Sequence, residues 1–389
     1  MKRIVSLILV ALLTLSVFCF TGCGAVNDSE VSILWSGNGK VEVPNSLINS
    51  MERAMYIKHV EYKHYGANGS LATQLEQAKS ALNAGCQVLV VELVSDNIID
   101  VIKSKDVAQQ IVDAAKEKSV PVIFFNCMVD ESVVNSYDKC VSIVSDVSTI
   151  ADVQGELIAD YVKANFKNID KNEDNKISAT FQGINTFADD AVKKANELLA
   201  TDDYKVSRSF FGEKLNLSVE LSIPEIINPD LTKYELILTP DDVTALVVLR
   251  ELQKSDYNTD KLTTQFVPIV TVGESVDYKE IVLAGRPENK DEYAEYYENN
   301  KFLVDLTAVE EEDLDAMIYT TINVIDAGRI AGTATEDRDA IAIAVASVVR
   351  NLVKGDDTFK GVASEVKEGE APSVVVDGRY VKVRYIAYN

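Results

Sequence analysis

Oxygen-bearing residues recur at every second position through Asp170, Asn172, Asp174, Lys176 and Ser178. Oxygens at the odd places of a short loop can converge on one point, and an all-oxygen set suits a hard divalent cation such as calcium. Lys176, at the seventh place, would offer only its main-chain carbonyl. Asn175 stands at the sixth place, where a sharp turn favours Gly, and Asn enters the left-handed backbone region more readily than most residues. The twelfth place is Phe181, so no bidentate carboxylate follows in sequence. A plain polar turn is the other reading, since Asp and Asn side chains bond their own main chain.

Other chemistry is poorly supplied. His59 and His64 are the only two histidines, which argues against a histidine-rich zinc site or a histidine-based nucleophile triad. No GxSxG elbow, P-loop or HExxH occurs. Asp189 with Asp190, and Asp241 with Asp242, are carboxylate pairs. Sequence neighbours diverge on a helix or turn, whereas a glycosidase needs opposed carboxyls. The expectation is therefore a protein that is not an enzyme. Cys86, Cys127 and Cys140 are flanked by apolar residues and none lies in a CxxC. They read as buried free thiols, with a Cys127 to Cys140 disulfide as the alternative.

The N-terminus carries Lys2 and Arg3, then no charge from Ile4 to Gly22, and reaches Cys23 through Phe20, Thr21 and Gly22. A basic start, a short apolar run and small residues before a thiol describe a lipoprotein signal at 1–22. Cys23 would be the lipidation site, with 23–30 a tether. An uncleaved membrane anchor or a plain secretory signal is the alternative. The net charge of −23 becomes about −25 once such a leader is removed. Nucleic acid is a poor partner for that surface. The remaining body of about 365 residues is long enough for two domains.

The elements that must position these residues alternate along the chain. Val31–Trp35, Gln87–Leu93, Val120–Phe125, Val141–Val144, Ile177–Phe181, Glu235–Thr239 and Val267–Val272 read as buried strands. Between them, Ser46–Lys58, Leu71–Ala84, Asp106–Lys118, Ile150–Asn165, Ala188–Leu199 and Val243–Lys254 carry apolar residues at helical spacing. Strand, helix, strand in this order predicts parallel sheets covered by helices on both faces. Ala340–Val349 suits a buried helix, and Ser373–Ile386 a hairpin turning at Asp377 and Gly378. In open parallel sheets, ligands settle beyond the carboxyl ends of the strands. That logic singles out Asn126, directly after an apolar strand, and Trp35, which ends the first one.

The chain resembles the type I periplasmic binding proteins, and among them the galactose/glucose-binding proteins of sugar importers. VPVIFFN at Val120–Asn126, SYDK at Ser136–Lys139, QGELIADYVKAN at Gln154–Asn165, DKNEDNKIS at Asp170–Ser178 and IAGT at Ile330–Thr333 carry the likeness. The resemblance implies an α/β fold of two doubly wound parallel-sheet lobes joined by a three-strand hinge. Lobe one would be 30–146 plus 336–366. Lobe two would be 147–335 plus 367–389, with an insertion at about 275–307.

It also implies a glutamate supplied to the calcium loop from a distant strand, here Glu235, completing a metal set of Asp170, Asn172, Asp174, Lys176, Ser178 and Glu235. Calcium would pin lobe two. Asn126 and Asp189 match polar ligand residues of the family, and Lys193 stands in place of an arginine, losing its rigid fork. Phe187 replaces a histidine, Asp241 an asparagine, and Glu336 an asparagine after the AGT turn. Asp189 also reads as a helix N-cap, and Trp35 as either a stacking surface or a core aromatic. The replacements add carboxylates and remove neutral donors. A galactose- or glucose-like monosaccharide, an amino sugar or another polar solute all remain open.

The implied function is substrate capture for an ABC importer permease. The protein would be a monomer, lipid-anchored on the outer face of the cytoplasmic membrane, in the periplasm or at the cell surface. A ligand sensor or surface binding protein uncoupled from transport is the alternative.

Overall fold

A computed structural model describes residues 31–37, 39, 47–94, 100–181, 187–200, 205–208, 231–253, 255–258, 265–273, 325, 328–364 and 371–389. The expectations for the leader, Cys23, the tether and the insertion at 275–307 lie outside these residues.

Two compact units divide the chain. The first comprises residues up to Val144 together with Arg338–Val383, and the second Ser145–Asp337 together with Arg384–Asn389. The chain therefore passes from one unit to the other three times.

In the first unit, parallel strands β1 (Val31–Trp35), β2 (Tyr62–Gly66), β3 (Val88–Val91), β4 (Val122–Phe125) and β5 (Cys140–Asp146) join the hairpin β11 (Val374–Asp377) and β12 (Tyr380–Arg384). Their order is β11-β12-β5-β4-β3-β1-β2. Alternation sorts the side chains to two faces. Val31, Ile33, Val90, Ile123 and Phe125 pack with Met51 and Met55 of α1 (Leu47–Ile57). Ile341, Val345 and Val348 of α8 (Arg338–Lys354) complete that layer. Leu34, Leu89, Val91, Val122 and Phe124 face the other way. There they meet Ala78 and Leu82 of α2 (Leu71–Asn83) and Ile111 and Ala115 of α3 (Asp100–Glu117). A sheet apolar on both faces needs helices on both, as the continuous apolar runs of its strands require. The short helix α4 (Glu131–Val134) lies between β4 and β5 in sequence.

The second unit holds β6 (Lys176–Phe181), β7 (Lys205–Arg208), β8 (Leu236–Leu238), β9 (Ile269–Val272), β10 (Gly332–Thr335) and β13 (Ile386–Tyr388), ordered β13-β10-β9-β8-β6-β7. All pair in parallel except β10 with β13. Its core joins Leu157 and Ile158 of α5 (Ile150–Ile169) and Ala191 and Ala195 of α6 (Ala188–Leu198) to Ile177, Leu236, Leu238 and Val270. The helix α7 (Asp242–Gln253) follows β8.

Two expectations are corrected. The tail 367–389 does not go whole to the second unit, because β11 and β12 join the first sheet beside β5 and only β13 pairs in the second. The helix expected from Asp106 begins at Asp100.

Candidate functional site

Three half-buried polar residues meet at the carboxyl ends of β1, β3 and β4, which lie side by side in the first sheet. Glu92 Oε2 accepts the main-chain N–H of Ser36 at 3.1 Å and its hydroxyl at 2.7 Å, and Glu92 Oε1 accepts the Asn126 amide Nδ2 at 2.7 Å. Each backbone is held from below. Glu92 N donates to the Leu34 carbonyl and Asn126 N to that of Ile143. The fully buried Gln74 of α2 donates to the Glu92 carbonyl at 2.7 Å and accepts the Val94 N–H at 3.0 Å. Asn126 takes a left-handed backbone, φ 51°, which Asn tolerates better than most residues.

Asn126 therefore stands where the strand-end rule puts it, and Glu92, which the sequence reading did not single out, is its partner. Trp35 does not offer an open stacking face. It is 3% exposed, with its ring edge against Phe125 at 5.3 Å between centroids and 84° between planes. The core-aromatic reading describes it.

The other expected ligand residues lie in the second unit. Asp241 Oδ1 accepts the Thr244 N–H at 2.7 Å and caps α7. Glu336 accepts the Ser145 hydroxyl at 2.7 Å. Asp189 and Lys193 lie exposed on α6. The N-cap of that helix is Phe187, half-buried, so Asp189 sits in the first turn and is not the cap. The buried carboxylate of Asp242 packs against Gly273, whose φ is 93°.

The alternating loop follows α5. Asp170 accepts the N–H of Asp174 at 3.2 Å on Oδ1 and that of Asn175 at 3.0 Å on Oδ2. Asn172 accepts from Asp174 N at 2.9 Å, and Asp174 from Lys176 N at 2.8 Å. Asn175 takes φ 61°, the left-handed turn expected of it, and Glu173 takes 58°. Glu235, 2% exposed, reaches this loop as the resemblance implies. Its Oε1 accepts the Lys171 N–H and its Oε2 the Ser178 N–H, both at 2.7 Å. Lys171 Nζ donates to the carbonyls of Thr232 at 2.7 Å and Tyr234 at 2.8 Å. The loop is thus a hydrogen-bonded turn in its own right. Among the described residues no three His, Cys, Asp or Glu side chains form a metal cluster by themselves. The oxygen donors fit calcium in type, and they would hold it only as a mixed set that includes Asn172, Ser178 and the Lys176 carbonyl.

Elsewhere in the first unit, a cavity of about 800 Å³ is lined by Leu93, Lys105, Met128, Asp130, Asp377 and Arg379 among others. Most of its charged groups already have partners. Lys105 meets Asp130 at 2.9 Å, Lys382 meets Asp377 at 2.7 Å, and Arg379 donates to the Tyr137 carbonyl at 2.6 Å. Neither Glu92 nor Asn126 lines it.

Cys86, Cys127 and Cys140 are free. Burial pushes the thiols of Cys127 and Cys140 up to about 12 and that of Cys86 to about 11. No helix among the described residues is long and apolar enough to cross a membrane.

No protein-family model matches this chain, and no curated protein matches it. Solved structures do. A mutant form of the XylFII-LytSN complex aligns over 93% of this chain and 98% of its own at 10% identity, with a TM-score of 0.52. A periplasmic ribose ABC transporter protein from Conexibacter woesei DSM 14684 aligns over 94% and 93% at 14% identity and a TM-score of 0.45. The arabinose ABC transporter binding component from Shewanella sp. ANA-3, bound to L-arabinofuranose, aligns over 92% and 91% at 12% identity and 0.39. At such identities the likeness is one of fold. The chain has the two-sheet α/β fold of type I periplasmic binding proteins.

Proposed function

We propose that this chain is an extracytoplasmic solute-binding protein that takes a monosaccharide and delivers it to an ABC importer permease. The supporting observation is the Ser36, Glu92 and Asn126 constellation at the carboxyl ends of three neighbouring parallel strands, where open α/β sheets hold their ligands. Preset polar side chains on a rigid sheet suit a ligand made of hydroxyl groups. Such a protein performs no covalent chemistry. Cys23 would carry the lipid anchor, which needs more than one acyl chain to hold firmly.

Calcium belongs to this reading as a structural cation at the 170–178 loop. Asp170, Asn172, Asp174, Lys176, Ser178 and Glu235 would hold it, and its charge would tie α5 and β6 to the segment before β8.

A thermal-shift screen with mono- and disaccharides, amino sugars and nucleosides, each with calcium and with chelator, tests both. A tight ligand raises the melting temperature by mass action. A sugar-dependent rise that Asn126→Ala abolishes is the expected result. No rise with any of them would remove the binding reading.

A second reading is a ligand sensor uncoupled from transport, since one structural neighbour was solved in complex with a second protein, LytSN. Sugar uptake lost in a strain lacking this chain supports delivery to an importer, and unchanged uptake supports the sensor.

A further inference from the structure

Resting on the solute-binding reading, we propose that Glu92 determines specificity and that this subsite selects an ammonium-bearing saccharide, an amino sugar, over its neutral parent. A carboxylate only accepts hydrogen bonds, so the Asn126 atom 2.7 Å from Glu92 Oε1 must be the amide nitrogen. The amide is therefore oriented without ambiguity. Its nitrogen is directed to Glu92, and its carbonyl oxygen has no partner among the described residues. The Ser36 hydroxyl is likewise turned inward, donating to Glu92 Oε2 at 2.7 Å. What the constellation presents to a ligand is acceptor capacity: the Asn126 carbonyl, the spare lone pairs of Glu92 and those of the Ser36 oxygen.

The charge sharpens this preference. Among the described residues, the three hydrogen bonds to the Glu92 carboxylate come from neutral donors. Among the described residues, no Lys, Arg or His forms an ion pair with it. The carboxylate is solvated by neutral neighbours and, among the described residues, meets no opposite charge. A neutral hexose settling beside it would supply hydroxyl donors and no opposite charge. An ammonium at the same place would supply both the donors and the opposite charge. Gln74, bonded to the Glu92 carbonyl and to the Val94 N–H, fixes the main chain from which the carboxylate projects.

The test is titration calorimetry on the full chain with D-galactosamine and D-glucosamine, against D-galactose, D-glucose and N-acetyl-D-glucosamine, at neutral pH. A charged hydrogen bond exceeds a neutral one by enough to give at least one amino sugar about a tenfold tighter Kd than its neutral parent and its acetylated amide. Glu92→Gln, isosteric and uncharged, should bring that ratio to about one while retaining the melting transition. The wild-type ratio alone decides the matter if the variant fails to fold. Neutral hexoses binding as tightly as both amines, or a preference unchanged in Glu92→Gln, would overturn the specificity and leave the solute-binding reading standing. No binding of any saccharide would overturn both.

Discussion

Ser178 and Glu235 are joined twice. The Glu235 main-chain N–H donates to the Ser178 carbonyl at 3.1 Å, and the Ser178 N–H donates to the Glu235 side chain at 2.7 Å. The second bond makes a buried carboxylate part of the main-chain ladder between the loop after α5 and the start of β8.

Glu235→Ala should therefore be costly whether or not calcium is present. It strands the N–H groups of Lys171 and Ser178, each an unsatisfied donor, and should lower unfolding stability by about 3 kcal/mol in urea titrations. Glu235→Gln, keeping one acceptor oxygen, should lose less. If calcium binds as proposed, it raises the wild-type melting temperature and not that of Glu235→Ala. Equal stabilisation of both proteins would place the cation elsewhere.

Gly155 of α5 lies close against α6. A methyl group there would meet the Cβ of Lys194 at 2.6 Å and the main-chain oxygen of Ala191 at 2.8 Å. The oxygen belongs to a helix backbone and cannot swing aside. Gly155→Ala should destabilise the second unit by about 1–3 kcal/mol through overpacking, despite the better helix propensity of Ala. A stability equal to or above wild type in calorimetry would show that the helices can separate freely.

Acid should weaken the start of α4. Asp130 caps that helix through the Ser132 N–H, and bonds from the Ser132 hydroxyl and the Lys105 ammonium help hold its carboxyl down at about 2. An unfolded aspartate titrates near 3.9, so the depressed folded value contributes stability present above roughly pH 4. That contribution is lost as pH falls through about 2. Asp130→Asn should flatten the acid limb of the melting-temperature profile in this window. A limb of unchanged steepness would mean that other carboxylates govern it.

The three thiols should resist modification. With Cys86 near 11 and Cys127 and Cys140 near 12, thiolate is on the order of one part in a thousand or less at pH 8. Iodoacetamide followed by mass mapping should find them unlabelled in the folded protein and labelled in denaturant. Rapid native labelling of Cys127 would show that the end of β4 opens.

The sequence reveals elements in proportion to how strongly they are buried. Val31–Trp35 is buried throughout and apolar except for Ser32, and it coincides with β1. Tyr62–Gly66 pairs with it as β2, yet it is the edge strand of the sheet and reads YKHYG, with Lys63 and His64 exposed and the rest half-buried. Among the described residues it has a strand neighbour on one side alone, and no apolar period marks it. β13, also at an edge, carries no such period either.

The same contrast runs through the candidate site. Asn126 was legible because an amide follows directly on the apolar strand end IFF. Glu92 follows VLVV in the same manner, and the rule that found Asn126 would have found it, had the acidic residue not been absorbed into the strand. Trp35 misleads for the opposite reason. An aromatic at a strand end satisfies the positional rule, and only the packing of Phe125 against its ring shows that it faces the core.

The threefold passage of the chain between units governs the order in which they can form. The first sheet begins with Val31, yet its β11 and β12 strands come from Val374–Arg384, and the helix covering Met51 and Met55 begins at Arg338. During synthesis the first unit stays unfinished until α8, β11 and β12 have been made, its apolar face waiting for α8. The second unit lacks only its short edge strand β13 by Asp337 and can settle earlier. In a nascent chain wired in this way the segment up to Val144 waits longest for its partners, and a deletion of everything from Val374 onward would damage the unit that was started first.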